Sequence, residues 1–322
     1  MAREIALDEY AAFIGAEYLD SFVSSGGSAV KVAVVPDAQS ATALGDAAVN
    51  EAERRGYAVA RVHSAKTRVN FIHQIFSSVA ADLEWSSCSR AVVASLLTEL
   101  YGEGVRGAGT VGEVIERTGL DRLVVRTDVR KALTDRVFRN YELAKDFRLA
   151  MGQLCWAELE PEAFTEEGRL AILQWLQGEL RLVSSLKELQ IFHKITRHNA
   201  RAMLGSSARW LHQAGIPGLF LVLNIDRLAV ARRGDSGDDR LYYTPAAVMD
   251  AFEVLRQFID ATDEMEHMMV LVIAPEELLD TESKRGFAAY RALRNRIWDD
   301  VRDRERPNPC APMVRIGAAG GR

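Results

Sequence analysis

Two segments carry side chains whose types and spacing bear on chemistry. The first apolar run, Val30-Lys-Val-Ala-Val-Val35, is stopped by Pro36 and followed by Asp37-Ala-Gln-Ser-Ala-Thr-Ala43. A strand feeding a helix here is where a phosphate-binding loop belongs. Its glycines bring backbone N–H groups onto the phosphates, its lysine meets the β/γ oxygens and its Ser/Thr hydroxyl holds magnesium. The loop positions Asp37, Gln39, Ser40, Ala41, Thr42 and Ala43 include no glycine and no lysine. Ala41, Thr42 and Ala43 stand where Gly-Lys-Ser/Thr is required, and a Cβ at a former glycine obstructs the φ > 0 turns such loops use. Asp37, just ahead of the helix, repels phosphate. The second segment, Leu219-Phe-Leu-Val-Leu-Asn-Ile-Asp226, ends at the place of a magnesium-holding Asp followed by a water-activating Glu. Asn224 is neutral and a poor ligand for a hard dication. Ile225 cannot relay a proton. Asp226 falls on the same side as Asn224 but two residues further out, and reads as a loop or capping carboxylate. Two lesions in two motifs point away from hydrolysis.

Other chemistry is sparse. Arg122, Arg126 and Arg130 recur at four-residue steps, with Lys131, Arg136, Arg139, Lys145 and Arg148 nearby. They suit a helical face that tracks a nucleic-acid backbone. Asp121, Asp128, Asp135, Glu142 and Asp146 are interleaved and suit a solvated helix instead. Gly102-Glu-Gly-Val-Arg-Gly107 has dinucleotide-loop spacing, but it follows a helical pattern rather than a strand and reads as a turn between helices. His193 and His198 have no acid or cysteine at metal-ligand spacing, so no metal site is expected.

The elements that must position these residues follow from periodicity. Residues 4–22 and about 43–55 read as helices, and residues 57–62 as a second strand. From about 70 to 188 apolar residues recur at three or four, as in Phe71/Ile75/Val79 and Val92/Leu96/Leu100, with no strand signal. A helix over 190–213 precedes a third strand at 219–223. Helices over 245–262 and 284–304 flank a fourth strand at 269–273, and a fifth covers 313–316. Five short apolar strands separated by helices predict an α/β fold with a five-stranded, mostly parallel sheet covered on both faces. The predicted division is a core of residues 1–66 and 190–322 with a large helical insertion over 67–189. Forty basic against forty-five acidic side chains give a net charge of −5, which argues against nucleic-acid binding through overall charge. The apolar runs fall far short of the roughly 20 residues of a membrane span. The N-terminus is acidic where a signal peptide is basic. Three widely separated cysteines suit a reducing compartment. A cytoplasmic protein without membrane contact is expected.

Ile195-Thr-Arg-His-Asn-Ala-Arg-Ala-Met-Leu204 and Gly215-Ile-Pro-Gly-Leu-Phe-Leu-Val-Leu223, with the stretches Tyr243 to Asp263 and Lys284 to Arg304, resemble the BREX-system ATP-binding proteins. These form a P-loop family from bacterial anti-phage loci. The resemblance covers roughly residues 170–316 well and 20–100 loosely. It implies an AAA-type P-loop fold, usually encoded beside a helicase and sometimes beside a second family member. The phosphate loop and the strand-end Asp-Glu depart from the family pattern. The reading is therefore a pseudo-ATPase: a degenerate subunit, leaning away from an enzyme, that expects no cofactor and works with an intact ATPase paralogue or a helicase. The alternatives are an unorthodox switch or ATPase that binds ATP and magnesium, and a DNA-binding adaptor using Arg122, Arg126 and Arg130. In AAA-type assemblies the end of the helix before the last strand faces the neighbour's nucleotide. Arg302, Arg304 and Arg306 occupy that place and are candidates for an arginine finger in trans.

Overall fold

The computed structural model describes residues 4–232, 239–298 and 307–319. In chain order its elements are α1 (Leu7–Phe13), β1 (Ser28–Val35), α2 (Ala38–Arg54), β2 (Ala58–His63), α3 (Ile72–Asp82), α4 (Trp85–Tyr101), α5 (Val111–Thr118), α6 (Arg122–Leu133), α7 (Lys145–Leu159) and α8 (Glu166–Leu176). They continue with α9 (Ala200–Gln213), β3 (Leu219–Asn224), α10 (Pro245–Asp260), β4 (Met268–Pro275), α11 (Arg291–Ile297) and β5 (Met313–Arg315). Wider helical stretches, Ile14–Val23 and Thr134–Phe138, continue α1 and α6, and short 3-10 segments link other elements.

The chain forms two compact units, Met1–Asp82 with Ile216–Arg322, and Leu83–Gly215. These borders differ from the expected 67–189 insertion. Residues 67–82 belong with the sheet because α3 buries Ile72, Ile75, Phe76 and Val79 and packs on β2. Residues 190–215 belong with the helices: within that unit Ser206 Oγ of α9 accepts the Ala144 amide at 2.8 Å.

The sheet of the first unit has the order β2-β3-β4-β1-β5, and every pairing is parallel. Its central strands β3 and β4 are runs of mostly aliphatic residues because a parallel sheet is buried on both faces, whereas the edge strand β2 exposes Arg61 and His63. One face, carrying Ala33, Val35, Phe220, Val222, Leu271 and Ile273, packs on Tyr10, Ile14, Leu44, Ala48 and Ala52 of the first helices. Ile5 extends the sheet edge: its amide donates to Arg315 O, and its carbonyl accepts the Gly317 amide. Beneath that edge, Lys31 is buried and pairs with no carboxylate among the described residues. Its Nζ donates to Cys310 O at 2.6 Å and Ala311 O at 3.3 Å and lies over the Tyr18 ring.

Three helix boundaries depart from the periodicity. Helix α2 begins at Ala38 rather than Ala43, because Asp37 caps it and alanine is the best helix former. Helix α9 begins at Ala200 rather than 190, because Asn199 Oδ1 takes the Thr196 amide at 2.7 Å and holds a turn there. The expected helix over 284–304 is confined, among the described residues, to Arg291–Ile297. Ahead of it the Gly286 backbone passes so close to Asp280 O that a Cβ there would sit 2.1 Å away.

Candidate functional site

In a parallel α/β sheet the ligand site lies beyond the carboxyl ends of the strands. At the end of β1 only Pro36 and Asp37 separate the strand from α2. Gln39, Ser40, Ala41, Thr42 and Ala43, expected in a degenerate loop, are all inside the helix, so no loop long enough to wrap a phosphate is present there. The first turn of α2 is also engaged internally. Asp37 Oδ1 accepts the Ser40 amide at 2.7 Å, and Ser40 Oγ accepts the Ala319 amide at 3.0 Å. The Ser40 amide and hydroxyl hold the Asp37 carboxyl below its usual range, so a negative charge already sits at the positive end of the helix. A nucleotide triphosphate held in the P-loop manner does not fit these residues.

At the end of β3, Asn224 Oδ1 accepts the Asp226 amide at 3.0 Å and turns the chain. Asp226 Oδ1 in turn accepts the Ser64 hydroxyl at 2.9 Å, and Ser64 Oγ accepts the Arg227 amide at 3.1 Å. His63 Nδ1 lies 3.7 Å from the Asp226 carboxylate and accepts the Ala65 amide at 3.0 Å. Ile225, where a water-activating carboxylate would sit, is fully buried. Asp226 therefore ties the end of β3 to the loop after β2. Around it, Tyr243 donates its hydroxyl to Thr67 O at 2.7 Å. The buried Arg285 guanidinium donates to Leu228 O and Tyr243 O. Sequence reasoning missed this bracing, because partners 42 to 176 residues apart leave no local spacing.

In the helical unit, Arg122, Arg126 and Arg130 all lie on α6 and are exposed. Arg126 is not free: its Nε is 2.7 Å from Oε1 of Glu160, whose side chain is only 4% exposed. His193 Nδ1 pairs with Asp146 Oδ2 at 3.0 Å, and no three-residue metal-ligating group occurs among the described residues. The Gly102–Gly107 segment is a turn between α4 and α5. Burial pushes the Cys88 thiol up to about 11 and the Cys155 thiol up to about 12, which leaves both unreactive at neutral pH. Arg302, Arg304 and Arg306 lie outside the described residues.

A family model described as BREX system ATP-binding protein BrxC/D matches residues 22–318. The chain belongs to this family. No curated protein and no solved structure matches it. Membership in the BrxC/D family implies a role in BREX phage defence, and the five-stranded parallel sheet accords with a P-loop ATPase-type fold. Among the described residues no helix is long and apolar enough to cross a membrane.

Proposed function

We propose that this chain is a pseudo-ATPase subunit of a BREX defence complex, one that keeps the nucleotide-binding sheet and has lost the nucleotide chemistry. The observation that carries the reading is the two-residue β1–α2 connection, closed by Asp37 on the helix it would have to open to phosphate. Asn224 and Ile225 at the end of β3 support it, since neither supplies the charge that magnesium or an attacking water needs. No ATP or magnesium is expected to bind. The chain acts in the cytoplasm through its surfaces, as a structural or regulatory partner of an intact ATPase paralogue or a helicase from the same locus. Subunits of AAA-type assemblies meet across the nucleotide cleft, so Arg302, Arg304 and Arg306 are proposed to reach a neighbour's γ-phosphate in trans.

The test is co-expression with the ATPase and the helicase encoded beside it, followed by complex mass and turnover. A stable complex whose hydrolysis falls about 10³-fold with one of Arg302→Ala, Arg304→Ala or Arg306→Ala supports the finger. A stable complex indifferent to all three leaves a structural partner. Failure to associate with either neighbour contradicts the subunit reading.

A further inference from the structure

Helices α5 and α6 are joined by three residues, Gly119-Leu120-Asp121. Gly119 is left-handed (φ 69°, ψ 10°), and its amide donates to Ile115 O at 2.8 Å, ending α5. Asp121 Oδ1 accepts the Leu123 amide at 2.8 Å and starts α6. The start of α5 is fixed by a reciprocal cap: Thr110 Oγ1 takes the Glu113 amide, and Glu113 Oε2 takes the Gly109 amide at 2.7 Å. Val125, Val129 and Leu133 seat α6, which packs on α4 and α5. Two capped helices joined by a three-residue turn with a left-handed glycine have the connection of a helix–turn–helix.

The side of α6 turned from that core is unusual. Leu123 is 73% exposed and Val124 49%, and beside them at helical spacing stand Thr127, Arg130 and Lys131, all exposed. The acids that interleave with these cations in sequence are engaged elsewhere. Asp121 caps the helix, and Asp135 pairs with Arg139 at 2.9 Å. Asp128 lies against the Tyr101 phenol of α4 and, together with that phenol's burial, holds its proton on. Arg126 is taken by Glu160, whereas the side chains of Arg122, Arg130 and Lys131 make no ion pair among the described residues. The outer face of α6 thus combines cations, a hydroxyl and bare aliphatic groups, on a chain whose net charge is −5.

We infer that α5 and α6 form a docking surface for duplex DNA, with α6 as the helix that enters the major groove. The groove, about 12 Å wide, admits one α-helix. The start of such a helix meets base edges, where Arg122 offers donors and Leu123 and Val124 suit thymine methyl groups. Arg130 and Lys131, two turns further on, meet phosphate. Thr127 lies between them; its hydroxyl donates to Leu123 O at 2.7 Å and offers its oxygen as an acceptor. This surface is independent of nucleotide, so its failure leaves the pseudo-ATPase reading untouched, and the converse also holds.

The test is fluorescence anisotropy of the full chain with a labelled mixed-sequence duplex of about 30 base pairs, titrated from low to physiological salt. Binding should weaken steeply with salt. Arg130→Glu with Lys131→Glu should lower affinity at least about tenfold and flatten the log–log salt slope by nearly 2, since each lost phosphate contact removes about 0.9. Arg181→Glu with Lys187→Glu makes the same charge change at exposed positions away from α6 and should leave affinity within about twofold. If the glutamate pair lowers the melting temperature, Arg130→Gln with Lys131→Gln replaces it and should flatten the slope equally. No anisotropy change for the unaltered chain at the lowest salt overturns the inference. So does a loss shared equally by both double reversals, or binding that survives the change at Arg130 and Lys131.

Discussion

Ser40 and Ala319, near opposite ends of the chain, meet at the first turn of α2, where Ser40 Oγ accepts the Ala319 amide at 3.0 Å. Ser40 is fully buried, and its own amide is held by Asp37. The positive end of the helix that a P-loop protein opens to phosphate is here closed from two directions, by a carboxylate and by the segment after β5. The closure belongs to the folded chain itself and requires no partner.

Asp37 should therefore matter for stability and not for ligand. Asp37→Ala removes the cap and should lower the melting temperature by a few degrees, while Asp37→Asn keeps an acceptor and should lower it less. The folded-state pKa of this carboxyl is depressed, so its contribution is complete above the usual carboxylate range and is lost as pH falls below about 3.8. Thermal melts should show Asp37→Asn losing less stability than the unaltered protein on acidification through that window. Neither variant should gain ATP affinity.

Arg126→Ala tests the helical unit. It leaves the buried Glu160 carboxylate without its partner, and should cost about 1–3 kcal/mol, toward the lower end because Arg126 is half-exposed and water replaces part of the pair. Adding Glu160→Gln should recover part of the loss in urea unfolding. For this reason Arg126 is a poor site for testing DNA contact: its reversal would damage the fold first.

Glu253 on α10 accepts from Arg256 at 2.6 and 2.7 Å, from Gln257 at 2.9 Å and from the Tyr290 hydroxyl at 2.5 Å. Arg256 foremost, then the Tyr290 hydroxyl, hold its carboxyl at about 2 against the work of desolvating it. The sign follows from the depressed value. Its stabilisation is present above about 4.5 and is lost as pH falls from there toward 2. Glu253→Gln should lower the melting temperature at neutral pH and narrow its gap to the unaltered protein at pH 2–3. A constant gap across the range would show that this cluster is not what titrates.

The strands were legible because each is a short β-branched or aliphatic run bounded by Pro, Gly or Asp, as at Val30–Pro36 and Pro217–Asn224, and a buried parallel sheet requires that composition. Helix α2 starts five residues before the place a phosphate loop over Pro36–Ala43 would leave for it, because Asp37 followed by Ala38 and Ala41 favours an early start. The turn at Gly119 was also readable, since Thr110-x-x-Glu113 and Gly119-Leu-Asp121 are end signals for two consecutive helices. Spacing within the Arg122–Arg130 stripe could not reveal that Glu160 occupies Arg126, that Asp128 turns to Tyr101, or that Asp146 meets His193. Those pairings arise only once the helices pack.

The proposed loss of nucleotide chemistry is tested most directly by calorimetric titration of the purified chain with Mg-ATP, with hydrolysis followed in parallel. The expected result is no turnover above a buffer blank and a dissociation constant weaker than about 100 μM, near −5.5 kcal/mol. Micromolar binding that requires magnesium would contradict it, because α2 would then have to release Asp37 and accept phosphate in its place.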